Sequence, residues 1–120
     1  LARVLCQVWQ PVVGGTPRWL LLDEPVASLD IGHQLLVMQL MKDYAARGGG
    51  VVAVMHDLNL SAMFADQMAI IMAGNLLLSG SPDVVMQNDV LSKAYGCTLT
   101  VNTPAASGQS YVLPHLAVVH

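Results

Sequence analysis

Apolar residues in the first half of the chain gather into two short runs, Trp19 to Leu22 and Val51 to Met55, and each run stops abruptly at polar residues. The first ends in Asp23-Glu24-Pro25 and the second in His56-Asp57. Runs this short, bounded by charge and proline, predict strands over Arg18–Leu22 and Val51–Met55, buried on both faces of a parallel sheet. Between them Leu35, Leu36, Met38, Leu40, Met41, Tyr44 and Ala45 recur near a helical period, which predicts a helix from Ile31 to about Ala46. Gly48-Gly49-Gly50 then closes it. Strand, helix, strand is a crossover unit, right-handed by rule. Its two strands deliver their polar ends to one sheet edge, where α/β folds hold ligands.

The second half changes period. Asp57 is placed to cap a short helix over Leu58–Ala65, and Met68–Ala73 with Leu76–Ser79 predict two antiparallel strands around Gly74-Asn75. Ser81-Pro82 is an N-cap and first-turn pair for Asp83–Gln87, and Asp89 is placed to cap Val90–Tyr95 with Gly96 as its end. Beyond it, Thr98–Val101 and Ser110–Leu113 predict short strands, a second hairpin around the Pro104–Gly108 loop. Ahead of the first strand, Leu1–Val8 predicts the end of a helix, and Gln10–Thr16 a loop broken by Pro11, Gly14 and Gly15.

An Asp-Glu-Pro at a strand end is, on its own, equally a solvated turn or a helix start. Ala27-Ser28-Leu29-Asp30 follows at once, and the second strand runs into His56-Asp57-Leu58-Asn59. In this order and spacing, Leu20-Leu21-Leu22-Asp23-Glu24-Pro25, Ser28-Leu29-Asp30 and the strand ending in His56-Asp57-Leu58 resemble the Walker B motif, D-loop and switch histidine of ATP-binding cassette (ABC) ATPases. The resemblance covers nearly the whole chain, because Leu1-Ala2-Arg3-Val4-Leu5 is similar to the helix that follows the family's signature sequence.

It implies an α/β fold: the C-terminal portion of a P-loop NTPase nucleotide-binding domain, with parallel core strands and a small antiparallel hairpin region. Residues 1–120 would be a partial domain beginning mid-domain, with the Walker A loop, glutamine loop and signature upstream. No G-x-x-x-x-G-K-[ST] occurs, since Lys42 and Lys93 follow Met41 and Ser92 rather than glycine. These residues alone are therefore expected not to hydrolyse ATP. Leu78-Ser79-Gly80-Ser81 is superficially like the family signature, but it lies downstream of the histidine and reads as a strand end and turn.

Three segments narrow the resemblance further. Leu29-Asp30-Ile31-Gly32-His33-Gln34, His56 to Ala62, and Asp89 to Gly96 are similar to importer ATPases serving haem, ferric siderophores and cobalamin, most of all the haem group. The chain departs from the family at Val26, where threonine is usual, and this touches only the local turn.

ATP hydrolysis needs a metal to offset phosphate charge, a positioned water and donors to the γ-phosphate. Asp23 is a hard oxygen ligand suited to Mg²⁺ through water, and Glu24 is the candidate general base, its value lying in aligning the nucleophile. His56 is the candidate donor to the γ-phosphate and a contact for Glu24; a capping or core histidine is the alternative. By the resemblance, Ser28 and Asp30 would lie between two head-to-tail nucleotide-binding domains, a role compatible with Asp30 also capping a helix. His33 reads as a packing or surface residue, and Asp57 as a cap rather than a catalytic acid.

The implied cofactors are ATP and Mg²⁺. The implied partners are membrane-spanning permease subunits, a second copy of the nucleotide-binding subunit and, indirectly, a periplasmic binding protein. The implied place is the cytoplasmic face of the inner membrane.

Composition adds bounds. With 54% hydrophobic and 11% charged residues, 120 residues carry more apolar surface than so small a unit hides, which fits a piece of a larger domain or an unusually hydrophobic small one. The longest apolar runs, such as Met68 to Ala73, reach six residues, against roughly 18 for a membrane span. A net charge of −3 with five scattered basic residues argues against a nucleic-acid partner. Cys6 and Cys97 have no C-x-x-C or His-rich context, so buried reduced thiols are expected, with a single disulfide the alternative. A soluble cassette ATPase outside transport and a non-catalytic binding module are the competing functions.

Overall fold

The computed structural model describes residues 10–118, so the helix expected over Leu1–Val8, and Cys6 with it, lie outside the described residues. The chain enters through a small antiparallel ribbon, β1 (Val12–Val13) and β2 (Thr16–Pro17), where a plain loop was expected. Gly14 and Gly15 both have positive φ, 58° and 79°, the conformation that a two-residue hairpin turn requires.

The crossover unit forms as its pattern predicts. β3 (Trp19–Asp23) pairs in parallel with β4 (Gly50–Val54), in register from Trp19 opposite Gly50 to Asp23 opposite Val54, and α1 (Ile31–Ala46) connects them. Leu35, Met38 and Met41 of α1 are buried with Val26 and Leu60, and Leu22 and Val51 pack onto that cluster. Tyr44, also buried, donates its hydroxyl to the Arg18 carbonyl.

Burial on both faces of β3 does not occur. Leu20 is 2% exposed, whereas Trp19 and Leu21 are 60% and 77% exposed, and Val52 and Val54 of β4 continue the exposed face. Helix α1 covers one side of this strand pair, and no described element covers the other. Strand alternation, with period two, is therefore visible in the burial of a run that is apolar throughout.

After β4 comes α2 (Leu58–Phe64), capped as expected by Asp57, whose Oδ1 accepts from the Leu60 amide at 2.9 Å. β5 (Met68–Met72) and β6 (Asn75–Gly80) are antiparallel. Their turn is Ala73-Gly74, one residue earlier than Gly74-Asn75, and a register shift after Ile70 leaves Leu77 without an opposite residue. Helix α3 (Pro82–Val85) starts after Ser81, and α4 (Asn88–Tyr95) is preceded by Gln87 rather than capped by Asp89. Gly96 ends α4 with φ 68°.

The second hairpin is absent. Over Thr98–Val101 the amides turn to side chains of α4: Ser92 Oγ accepts from Leu99 at 2.8 Å, and Asn88 Oδ1 accepts from Val101 at 2.7 Å. With these donors engaged, no ladder to Ser110–Leu113 forms, and the latter runs into a 3₁₀ turn, Pro114–Leu116. Cys97, expected to be buried, is an exposed free thiol just past α4. No helix among the described residues is long and apolar enough to cross a membrane.

Candidate functional site

The site is built where β3 and β4 end. The ladder continues one residue past β3, with the Glu24 amide donating to the Val54 carbonyl at 2.9 Å. The backbone then turns through two tight bonds, Ala27 amide to Glu24 carbonyl at 3.1 Å and Leu29 amide to Val26 carbonyl at 3.3 Å. Two residues in this bend have left-handed backbones, Glu24 at φ 49° and Ser28 at φ 64°. For a residue with a side chain that conformation costs roughly 1–2 kcal/mol, and such strain gathers at functional sites.

The parallel register sets His56 beside this bend. Its Nε2 meets Glu24 Oε1, joining two residues 32 positions apart. Both remain accessible, the His56 side chain 74% exposed and that of Glu24 43%. The contact can thus form or open without unpacking the core.

Asp23 lies at the end of β3 on the exposed side of the strand pair. Among the described residues no three His, Cys, Asp or Glu side chains group to hold a metal. One carboxylate at an accessible strand end, with water and substrate phosphate oxygens completing the shell, is nevertheless how Mg²⁺ is held. The donor set here therefore suits that ion and no cation needing an all-protein cage.

Asp30 is the N-cap of α1, its Oδ1 accepting from the His33 amide at 2.9 Å and meeting His33 Nδ1 at 2.8 Å. The His33 amide first, and its ring second, lower the Asp30 pKa below the ordinary carboxylate value. His33, read as a packing or surface residue, is thus the partner of Asp30 through both its amide and its ring. Ser28 is exposed two residues before Asp30. The structure therefore brings Glu24 and His56 into contact, sets Asp23 beside them, and leaves Ser28 and Asp30 on the adjoining bend. Pattern reading missed Gln34, whose Nε2 donates to the Val26 carbonyl at 3.4 Å and ties α1 to the bend; nothing in its spacing marks it out.

No family model matches the chain. Individual proteins do. Over 117 residues, 98% of the chain, it is 66% identical to the hemin import ATP-binding protein HmuV of Roseobacter denitrificans, of which it covers 45%. It is 62% identical over 117 residues to the protein of that name from Jannaschia sp., covering 43% of it. Among solved structures, CbiO1 from Clostridium perfringens, described as part of the ABC transporter complex CbiONQ, matches with a TM-score of 0.53 at 26% identity, over 64% of this chain and 31% of that one. Over nearly its whole length the chain is thus similar to the ATP-binding proteins of ABC transporters. It spans less than half the length of these relatives and matches their carboxyl-terminal part. An ABC ATPase fold accounts for both the parallel pair β3/β4 and the antiparallel pair β5/β6.

Proposed function

We propose that the chain supplies the Walker B, D-loop and switch-histidine portion of an ATPase subunit that drives import of haem or an iron complex. The observation that carries this reading is the contact between Glu24 and His56, made at the common end of two parallel strands. A base and a donor at one accessible point are what hydrolysis of a terminal phosphate needs.

In this reading Glu24, whose carboxylate meets His56, holds and polarises the attacking water. His56 donates to the γ-phosphate oxygens and, through its contact with Glu24, ties the base's position to the nucleotide present. Asp23 would hold Mg²⁺ through water; the ion offsets phosphate charge when bound. Ser28 and Asp30 face a second, head-to-tail copy, with the Asp30 carboxylate oriented by the amide and ring of His33. Membrane-spanning permease subunits and, through them, a periplasmic binding protein complete the assembly at the cytoplasmic face of the membrane. The names of the 66% and 62% identical relatives support haem as cargo.

The phosphate loop is not among these 120 residues, so the chain by itself is inert toward ATP. The test is a chimera in which this chain replaces the matching carboxyl-terminal part of the Roseobacter denitrificans protein. Mg-dependent ATP hydrolysis by the chimera is expected. A chimera that folds and binds ATP without hydrolysing it refutes the reading.

A further inference from the structure

The bend between β3 and α1 is tied down at both ends, at its start by the Glu24 amide on the Val54 carbonyl at 2.9 Å and at its close by Asp30, the N-cap of α1. Its two left-handed residues are Glu24 and Ser28, and Val26 stands midway between them. A side-chain-bearing residue in that conformation reverts by turning the adjoining peptide groups unless its surroundings hold them. Val26 is where they are held. Its side chain is buried in the cluster with Leu35, Met38 and Leu60. Its carbonyl accepts twice, from the Leu29 amide at 3.3 Å and from Gln34 Nε2 at 3.4 Å. Gln34 is half-buried in the first turn of α1, where its own amide donates to the Asp30 carbonyl at 2.9 Å. One residue thus bonds the middle of the bend through its side chain and the close of the bend through its backbone. Neither the motifs nor the mechanism gives it a part.

We propose that Gln34 is a positioning residue for hydrolysis, its side-chain amide fixing the Val26 carbonyl and with it the bend that carries Glu24 and Ser28. This rests on the ATPase reading above. The bond is long, so its share of overall stability is small, whereas a base displaced by an ångström loses much of its rate. The Glu24 carboxylate meets His56 from this bend, so a bend that relaxes moves the base relative to its partner. Gln34 is not itself at that contact, and its loss therefore falls on turnover rather than on nucleotide affinity.

The test uses the chimera unchanged and carrying Gln34→Leu, Gln34→Glu or Gln34→Arg. The Leu form keeps apolar bulk without a donor, the Glu form keeps the shape with acceptors only, and the Arg form carries an Nε–H as many bonds from Cα as the glutamine Nε2. These residue types are comparably good helix formers, so α1 itself is not the variable. The expected result for the Leu and Glu forms is a fall of about five- to tenfold in kcat with the KM for ATP within about twofold, while the Arg form stays within about twofold of the parent in both. Amide exchange should rise over residues 24–30 in the Leu and Glu forms and stay at the parental level in the Arg form. Parental kcat in the Leu and Glu forms, or unchanged exchange over the bend, overturns the proposal. Equal losses in all the variants also overturn it, because side-chain fit rather than the donor would then matter. So does a joint loss of kcat, ATP affinity and thermal stability in the Leu and Glu forms, the mark of a residue that only supports the core. A parent chimera without hydrolysis overturns the ATPase reading itself, a result separate from an active parent whose Leu and Glu forms are just as active.

Discussion

Glu24 offers the sharpest test, because its side chain and its backbone make opposite demands. Glu24→Gln keeps the shape and removes the charge. If Glu24 is the base, turnover in the chimera should fall about 10²- to 10⁴-fold, which is roughly 2.7–5.5 kcal/mol of barrier. The same change weakens the contact with His56, but both partners are substantially exposed, so the cost in stability is at most about 1 kcal/mol. Glu24→Gly separates the two demands further. It removes the carboxylate and also the Cβ that makes a φ of 49° unfavourable, relieving roughly 1–2 kcal/mol and giving back about 0.5–1 kcal/mol through a more flexible unfolded chain. The glycine protein should therefore be as stable as the glutamine protein or slightly more so, and equally inactive. Steady-state ATPase measurements and thermal melting on the same preparations give both quantities. Turnover of the Gln variant within about twofold of the parent, less than ~0.5 kcal/mol, would refute the assignment. So would a glycine protein that melts well below the glutamine one, since the bend would then not be strained.

Three more outcomes follow from the geometry. His56→Ala should lower turnover at least tenfold with little change in melting, whereas His33→Ala, which leaves the backbone amide that dominates the Asp30 interaction, should stay within about twofold; equal losses in both would favour a packing role for His56. The lowered pKa of Asp30 means that its contribution to stability is complete above the unfolded value near 3.9 and is lost as pH falls through the folded value below it; Asp30→Asn, which can still cap α1, should flatten that acid limb in denaturant titrations between about pH 5 and 2. Ala73 has φ 52° in a two-residue hairpin turn, so Ala73→Asn should raise stability by about 0.5–1 kcal/mol, read as an upward shift in melting temperature; no gain would mean the turn is not left-handed at that residue.

Much of this architecture was legible because it rests on local signals. The run Trp19–Leu22, the helical stripe through Leu35, Met38 and Met41, and the second run before His56 specify a crossover unit from their own spacing, and the crossover brings Glu24 to His56. Asp57 and Gly96 were readable as helix ends because caps depend on one residue's chemistry. What escaped depends on neighbours that spacing does not name. An apolar run cannot reveal that Trp19 and Leu21 face outward, since exposure is decided by whether another element covers that side. Nor can Thr98–Val101 reveal that Ser92 and Asn88 take up its amides. The roles of Ser28 and Asp30 came from resemblance rather than from physical pattern, and the structure adds where they lie and that Asp30 engages His33.

Trp19 and Gly50 stand opposite each other at the start of β3 and β4, and a Cβ at position 50 would collide with the indole. That fit works as an alignment key. Sliding β4 so that Val51 took the place of Gly50 opposite Trp19 would bring a side chain against the ring, turn every inward residue outward and carry His56 about 3.3 Å along the strand, out of reach of Glu24. The tolerance of the Glu24–His56 contact is thus set at the opposite end of the strands, roughly 13 Å away, by a tryptophan and a glycine outside the candidate site.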